Sequence, residues 1–183
     1  MSKIDALTWP FWRRFQKDEK GVTAIEFALL APIFFTILFS IFELGYTFTK
    51  VAMVNHAVSV ASKDIYIGSA SLGTLTYDEI EQSICDNITI AGDDCTNNLV
   101  LELTEISDAS DLPDTDAVCE FTDIAIKPTV AYDPGGSNST IFMRVCFVTD
   151  IMIPGLGFAL HLPETTDDKY SIITSTAFVN EPF

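Results

Sequence analysis

Residues 22–42 form a run of 21 positions in which Glu26 is the only ionisable group, and 27–42 carry no charge at all. An apolar helix of about 20 residues crosses the hydrocarbon core of a bilayer, so the rest of the chain has to be arranged around one membrane-span candidate. Ile33, Phe34, Phe35, Ile37, Leu38, Phe39, Ile41 and Phe42 leave no polar face, which argues against a buried helix of a soluble protein. A secretory signal has an apolar core of about 7–15 residues before a small-residue cleavage site; this run is longer and passes into more helix. The lone carboxylate is costly. An acidic residue at the centre of a membrane helix costs on the order of 2.5–3.5 kcal/mol on insertion scales. Either something compensates Glu26, or it lies near enough to the interface to reach headgroup water.

Beyond Glu43 the pattern turns amphipathic. Val51, Val54, Val58, Ala61 and Ile65 recur at steps of three and four, with Lys50, Asn55, Ser59 and Lys63 on other faces. The spacing predicts one helix from Val22 to about Ile67, ended by Gly68 and roughly 70 Å long at 1.5 Å per residue. Pro32 removes the hydrogen bond to the Ala28 carbonyl, which predicts a bend or local unwinding over 28–32. Glu43 stands at the outer end of the apolar run, where a solvated carboxylate costs little and a neighbouring subunit is the alternative contact.

Charge is split along the chain. Five of the ten Lys and Arg lie in residues 1–21 against three acids, leaving five basic residues against 23 acidic ones in the remainder. A basic N-terminus favours the cytoplasmic face, with the acidic part delivered across. The same acidity excludes nucleic acid as a partner, because binding the phosphate backbone needs a basic surface.

Residues 69–183 read as a small acidic α+β ectodomain. Thr76 and Glu79 have capping-box spacing, and Tyr77, Ile80, Ile84 and Ile88 then mark one face of a short helix. Alternation predicts strands at 99–104 and 117–127. The stretch 141–149 is apolar on both faces apart from Arg144 and predicts a central strand, 171–179 a fourth, and 133–138 a turn. Cys85, Cys95, Cys119 and Cys146 all lie here. An even number in an exported domain favours two disulfides, and of three connectivities Cys85–Cys95 with Cys119–Cys146 is preferred. The first closes a short turn around Gly92, and the second can join neighbouring strands.

Metal and enzyme readings have little support. There is no Cys-x-x-Cys pair, and His56 and His161 are the only histidines. Asp108, Asp111, Asp114 and Asp116 lack the spacing, central glycine and terminal glutamate of a calcium loop, and Gly155-Leu156-Gly157 has no phosphate-loop lysine. No cofactor and no catalytic residue is expected. The apolar stretch 151–160 has three readings, as core, as a membrane-surface segment or as a contact patch, of which core is the safest.

The basic leader ending at Gly21, Glu26 five residues later and the long helix behind it resemble the N-terminus of type IV prepilins and pseudopilins. In detail, Gly21-Val22-Thr23-Ala24-Ile25-Glu26-Phe27-Ala28-Leu29-Leu30-Ala31-Pro32, Phe42-Glu43-Leu44-Gly45 and the terminal Asn180-Glu181-Pro182-Phe183 are similar to TadE-like minor pseudopilins of the tight-adherence (Tad) pilus. Leu44 departs from the phenylalanine often found there. The resemblance is specific over 13–66 and weak over 70–179. It implies a structural subunit with a cytoplasmic leader over 1–21, a membrane half of the helix over 22–43, an amphipathic extension over 44–68 and the ectodomain beyond. It further implies cutting after Gly21 by a prepilin peptidase, leaving Val22 as the mature N-terminus and Glu26 to neutralise the new amine. The implied partners are that peptidase, other pilin and pseudopilin subunits, the inner membrane and the pilus assembly platform. The alternative is an uncleaved single-pass anchor for a binding or sensor domain.

Overall fold

A computed structural model of the chain describes residues 21–67, 76–89, 94–113, 117, 119, 130–155, 157–162 and 168–182. The elements are α1 (Val22–Tyr66), α2 (Tyr77–Asn87), β1 (Leu99–Ile106), β2 (Thr140–Asp150) and β3 (Lys169–Val179), with short 3-10 turns between them. Helix α1 is continuous over 45 residues, Pro32 included. The Thr36 hydroxyl donates to the Pro32 carbonyl at 2.7 Å, one of several small side chains that bond back onto their own helix.

The sheet is antiparallel, in the order β1-β2-β3. Its central strand is β2, because that strand alone is apolar on both faces and so tolerates neighbours on both edges and cover on both sides. Leu99, Leu101 and Leu103 alternate onto one face with Ile141, Met143, Val145 and Phe147, joined by Tyr170 and Ile172. Against this face pack Val54, Ala57, Val58, Ala61 and Ile65 of α1 and Ile80, Ile84 and Ile88 along α2. One three-to-four-residue stripe of α1 therefore becomes the lid of a single core. On the opposite face Glu102 and Arg144 stand directly across the β1–β2 pair and bond at 2.6–2.8 Å.

Helix α2 begins at a complete capping box. The Thr76 side chain accepts from the Glu79 N–H while the Thr76 N–H donates to the Glu79 carboxylate at 2.7 Å. The Thr76 N–H and hydroxyl, both donating to it, hold the Glu79 carboxyl below the usual carboxylate range. The Tyr77 hydroxyl accepts from the Leu101 N–H at 3.3 Å and ties the same end to β1. Disulfide Cys85–Cys95 closes the connection from α2 to β1. Disulfide Cys119–Cys146 ties a passing segment to the back of β2, where Val148 and Ala117 complete a second small cluster. The strand expected over 117–127 lies almost wholly outside the described residues, and Ala117 and Cys119 are irregular. Gly68, Gly92, Asp114, Asp116 and the leader over 1–20 also lie outside them.

The C-terminal tail closes the far end of the molecule. Asn180 is buried, and its side-chain amide donates to the carbonyls of Pro134 at 2.8 Å and Gly136 at 3.1 Å, within the predicted 133–138 turn. The Glu181 N–H donates to the Tyr66 carbonyl at 3.0 Å, so the tail also holds the last turn of α1.

Candidate functional site

Two stretches of α1 differ sharply in what surrounds them. Residues 21–30 are all exposed, and Ile33, Phe34, Phe35, Ile37, Phe39, Ile41 and Phe42 follow with their large apolar surfaces uncovered. In water such a surface is unfavourable by roughly 25 cal/mol per Å², and its length and hydropathy are those of a membrane span. Gly21 caps this helix at φ −85°, an ordinary right-handed value, and a Cβ there would meet nothing within 4 Å. The fold thus places no demand for glycine at position 21. Val22 is exposed beside it, and Glu26 sits on the exposed surface about one and a half turns further on.

From Glu43 onward α1 is joined to the domain. The buried stripe is Glu43, Thr47, Lys50, Val54, Ala57, Val58, Ala61 and Ile65. Its first three members are polar, so apolar periodicity alone misses them. Glu43 is only 1% exposed, and its two carboxylate oxygens accept from the backbone N–H groups of Met152 at 3.1 Å and Ile153 at 3.0 Å. This corrects the expectation of a solvated carboxylate at the end of the apolar run. The carboxylate is used inside its own chain, where it satisfies two donors of an irregular loop that no strand partner reaches.

Lys50 corrects a second expectation. It is not on an outer face but 4% exposed, donating to the Thr149 hydroxyl at 2.9 Å and the Asp150 carbonyl at 2.8 Å. Its ammonium lies 4.4 Å from the centre of the Tyr46 ring and 5.6 Å from that of Tyr170, within cation–π range. Glu43 and Asp150 supply the nearby negative charge. Burial nonetheless pushes the Lys50 pKa below its ordinary value, and the two hydrogen bonds with the charges of Asp150 and Glu43 offset part of that cost. Glu43 and Lys50, two turns apart, therefore grip the end of β2 and the loop that follows it.

That loop is only partly core. Ile151 and Ala159 are buried, whereas Met152 and Leu160 are exposed. Gly157 has φ +58°, and a Cβ there would collide with the Ser40 hydroxyl, so a residue without a side chain is required where the loop meets α1. Among the described residues no cluster of three or more metal-ligating side chains occurs. Asp108 and Asp111 are engaged in capping a 3-10 turn, with Ser110 N–H on Asp108 at 2.7 Å.

A solvent-exposed apolar helix continuing into a lid over a small disulfide-stapled sheet defines the α+β architecture of the described residues. The model of the TadE-like protein family matches residues 21–62, the exposed half of α1 and most of its packed half. No curated protein and no solved structure matches the chain. The likeness to TadE-like proteins is thus confined to this segment, well under half of the 183 residues. Gly21, Val22, Glu26, Pro32 and Glu43 all lie within the matched residues; the four cysteines lie outside them.

Proposed function

We propose that the chain is a minor pseudopilin, a non-catalytic subunit that supports biogenesis of a Tad pilus and surface adhesion. On this reading it is inserted in the inner membrane with its basic leader cytoplasmic and residues 69–183 outside. A prepilin peptidase cuts after Gly21, and the subunit enters the pilus through lateral packing of α1 on other pilin and pseudopilin helices. The observation that carries the reading is the TadE-like match over a helix exposed throughout residues 21–30 and over most of its large apolar side chains as far as Phe42. A surface of that kind suits lipid before assembly and neighbouring helices after it.

Glu26 is the charge that sets register. Cleavage would place an ammonium at Val22, and a carboxylate four residues along the same helix, or on a neighbour, balances it in a medium of low dielectric. One fixed charge pair among apolar helices selects axial register as a single buried polar residue does in coiled coils. Local unwinding at Pro32 on assembly would let neighbours satisfy the Ala28 carbonyl.

Glu26→Gln is the test. Insertion and cleavage should proceed, but an unpaired amine among packed helices costs on the order of 2.5–3.5 kcal/mol. At about 1.4 kcal/mol per tenfold, recovery of the subunit with sheared pili should fall roughly a hundredfold. Undiminished recovery of Glu26→Gln with the pili would contradict the pairing.

A further inference from the structure

We propose that the loop formed by residues 151–155 and 157–160 is a membrane-docking element, seated among the acyl chains of the outer leaflet beside the helix it grips. The inference rests on the membrane-span reading of residues 22–42 and goes beyond it, because it concerns the ectodomain.

The geometry that points there is the descent of the loop along α1. The Met152 and Ile153 N–H groups bond to Glu43, at the outer end of the apolar run. Gly157 then lies against Ser40 and the Thr36 carbonyl, one to two helical turns further into that run. At 1.5 Å per residue, Ser40 is about 3 Å and Thr36 about 9 Å inside the level of Phe42. A helix that spans the bilayer over 22–42 carries whatever is packed on Thr36 and Ser40 below the surface with it.

The side chains suit that depth. Met152 is 50% and Leu160 62% exposed, and neighbouring Phe39, Ile41 and Phe42 of α1 are exposed as well. Between loop and helix runs an apolar groove of about 630 Å³, lined by Phe39, Phe42, Gly45, Tyr46, Met152 and Ile153 among others. Irregular backbone survives at membrane depth only where its polar groups are satisfied by protein. Glu43 serves two of these N–H groups, the Leu162 N–H bonds the Ala159 carbonyl at 3.2 Å, and the Thr36 and Ser40 hydroxyls bond back onto α1 carbonyls at 2.7 Å. The buried carboxylate thus makes the loop compatible with lipid, and the occupant of the groove is an acyl chain.

Tryptophan depth quenching tests the proposal in the full-length chain. In a Trp9→Phe/Trp12→Phe background, Leu160→Trp, Met152→Trp, Leu30→Trp and Val179→Trp are reconstituted singly into phosphatidylethanolamine–phosphatidylglycerol vesicles containing lipids brominated on the acyl chains. The expected result is blue-shifted emission, mostly lost to bromolipid, at 152, 160 and 30, with position 179 unquenched by bromolipid and quenched by iodide. If 152 and 160 behave like 179 while 30 is quenched, the loop lies in water and the proposal fails. If 152 and 160 are shielded from bromolipid and iodide alike, a second protein surface covers the loop, and the lipid assignment is overturned. An unquenched position 30 would refute the membrane-span reading itself, and the docking element with it.

Discussion

Glu43→Ala is expected to destabilise the folded chain by about 3–6 kcal/mol, the worth of two hydrogen bonds to a charged acceptor at about 1.5–3 kcal/mol each. The substitution leaves the Met152 and Ile153 N–H groups without their acceptor in a part-buried position and removes negative charge close to the Lys50 ammonium. Glu43→Gln keeps one carbonyl acceptor and should lose roughly half as much. Denaturant unfolding of the full chain in detergent, followed by circular dichroism, reads both values. A loss below about 1 kcal/mol for Glu43→Ala is the size expected of an exposed carboxylate and would contradict the grip assigned to it. Replacing Glu43 and Lys50 together by apolar residues should not restore full stability. It removes the buried charges, but the two loop N–H groups still lack an acceptor.

The second large effect concerns processing rather than folding. Gly21→Leu should abolish cleavage and leave residues 1–21 attached, while stability stays within about 0.5 kcal/mol of the parent, as for surface substitutions generally. The reason is the contrast at this position: a negative φ and open space where a Cβ would stand mean that the fold accepts a side chain there. Any strict need for glycine must then come from a protein that handles the N-terminus. Mass spectrometry of the membrane fraction from cells containing the peptidase checks it. Normal removal of the leader from Gly21→Leu would show that the residue before Val22 does not matter to the cut.

Much of this arrangement is written in local pattern. Period-3.6 spacing from Val51 to Ile65, the Thr76/Glu79 box and the two-sided apolarity of 141–149 each specify one element, and the structure has α1, α2 and a central β2 there. A run of 21 nearly uncharged residues is equally direct. What pattern does not show is burial achieved by polar side chains. Apolar periodicity stops at Val51, although the packed stripe continues through Lys50 and Thr47 to Glu43. A hydropathy reading places those residues in solvent because it values a charge by its hydration, while the fold values it by two loop N–H groups and a strand-end carbonyl about 100 residues away in sequence.

Asn180 illustrates the same limit at the other end. Its neighbours in sequence give it a place in a family-like tail, but its work is to bond carbonyls of the 134–136 turn, a contact that exists only after β2 and β3 have paired. Gly157 is a third case. In sequence it reads as part of a loop fragment, and the need for glycine lies in the approach to Ser40 on α1.

The central claim is that Glu26 serves an amine created by cleavage between Gly21 and Val22. N-terminal sequencing of the wild-type protein, taken from membranes of cells that contain the prepilin peptidase, tests it most directly. The account predicts a chain beginning at Val22, and an intact leader beginning at Met1 would contradict it.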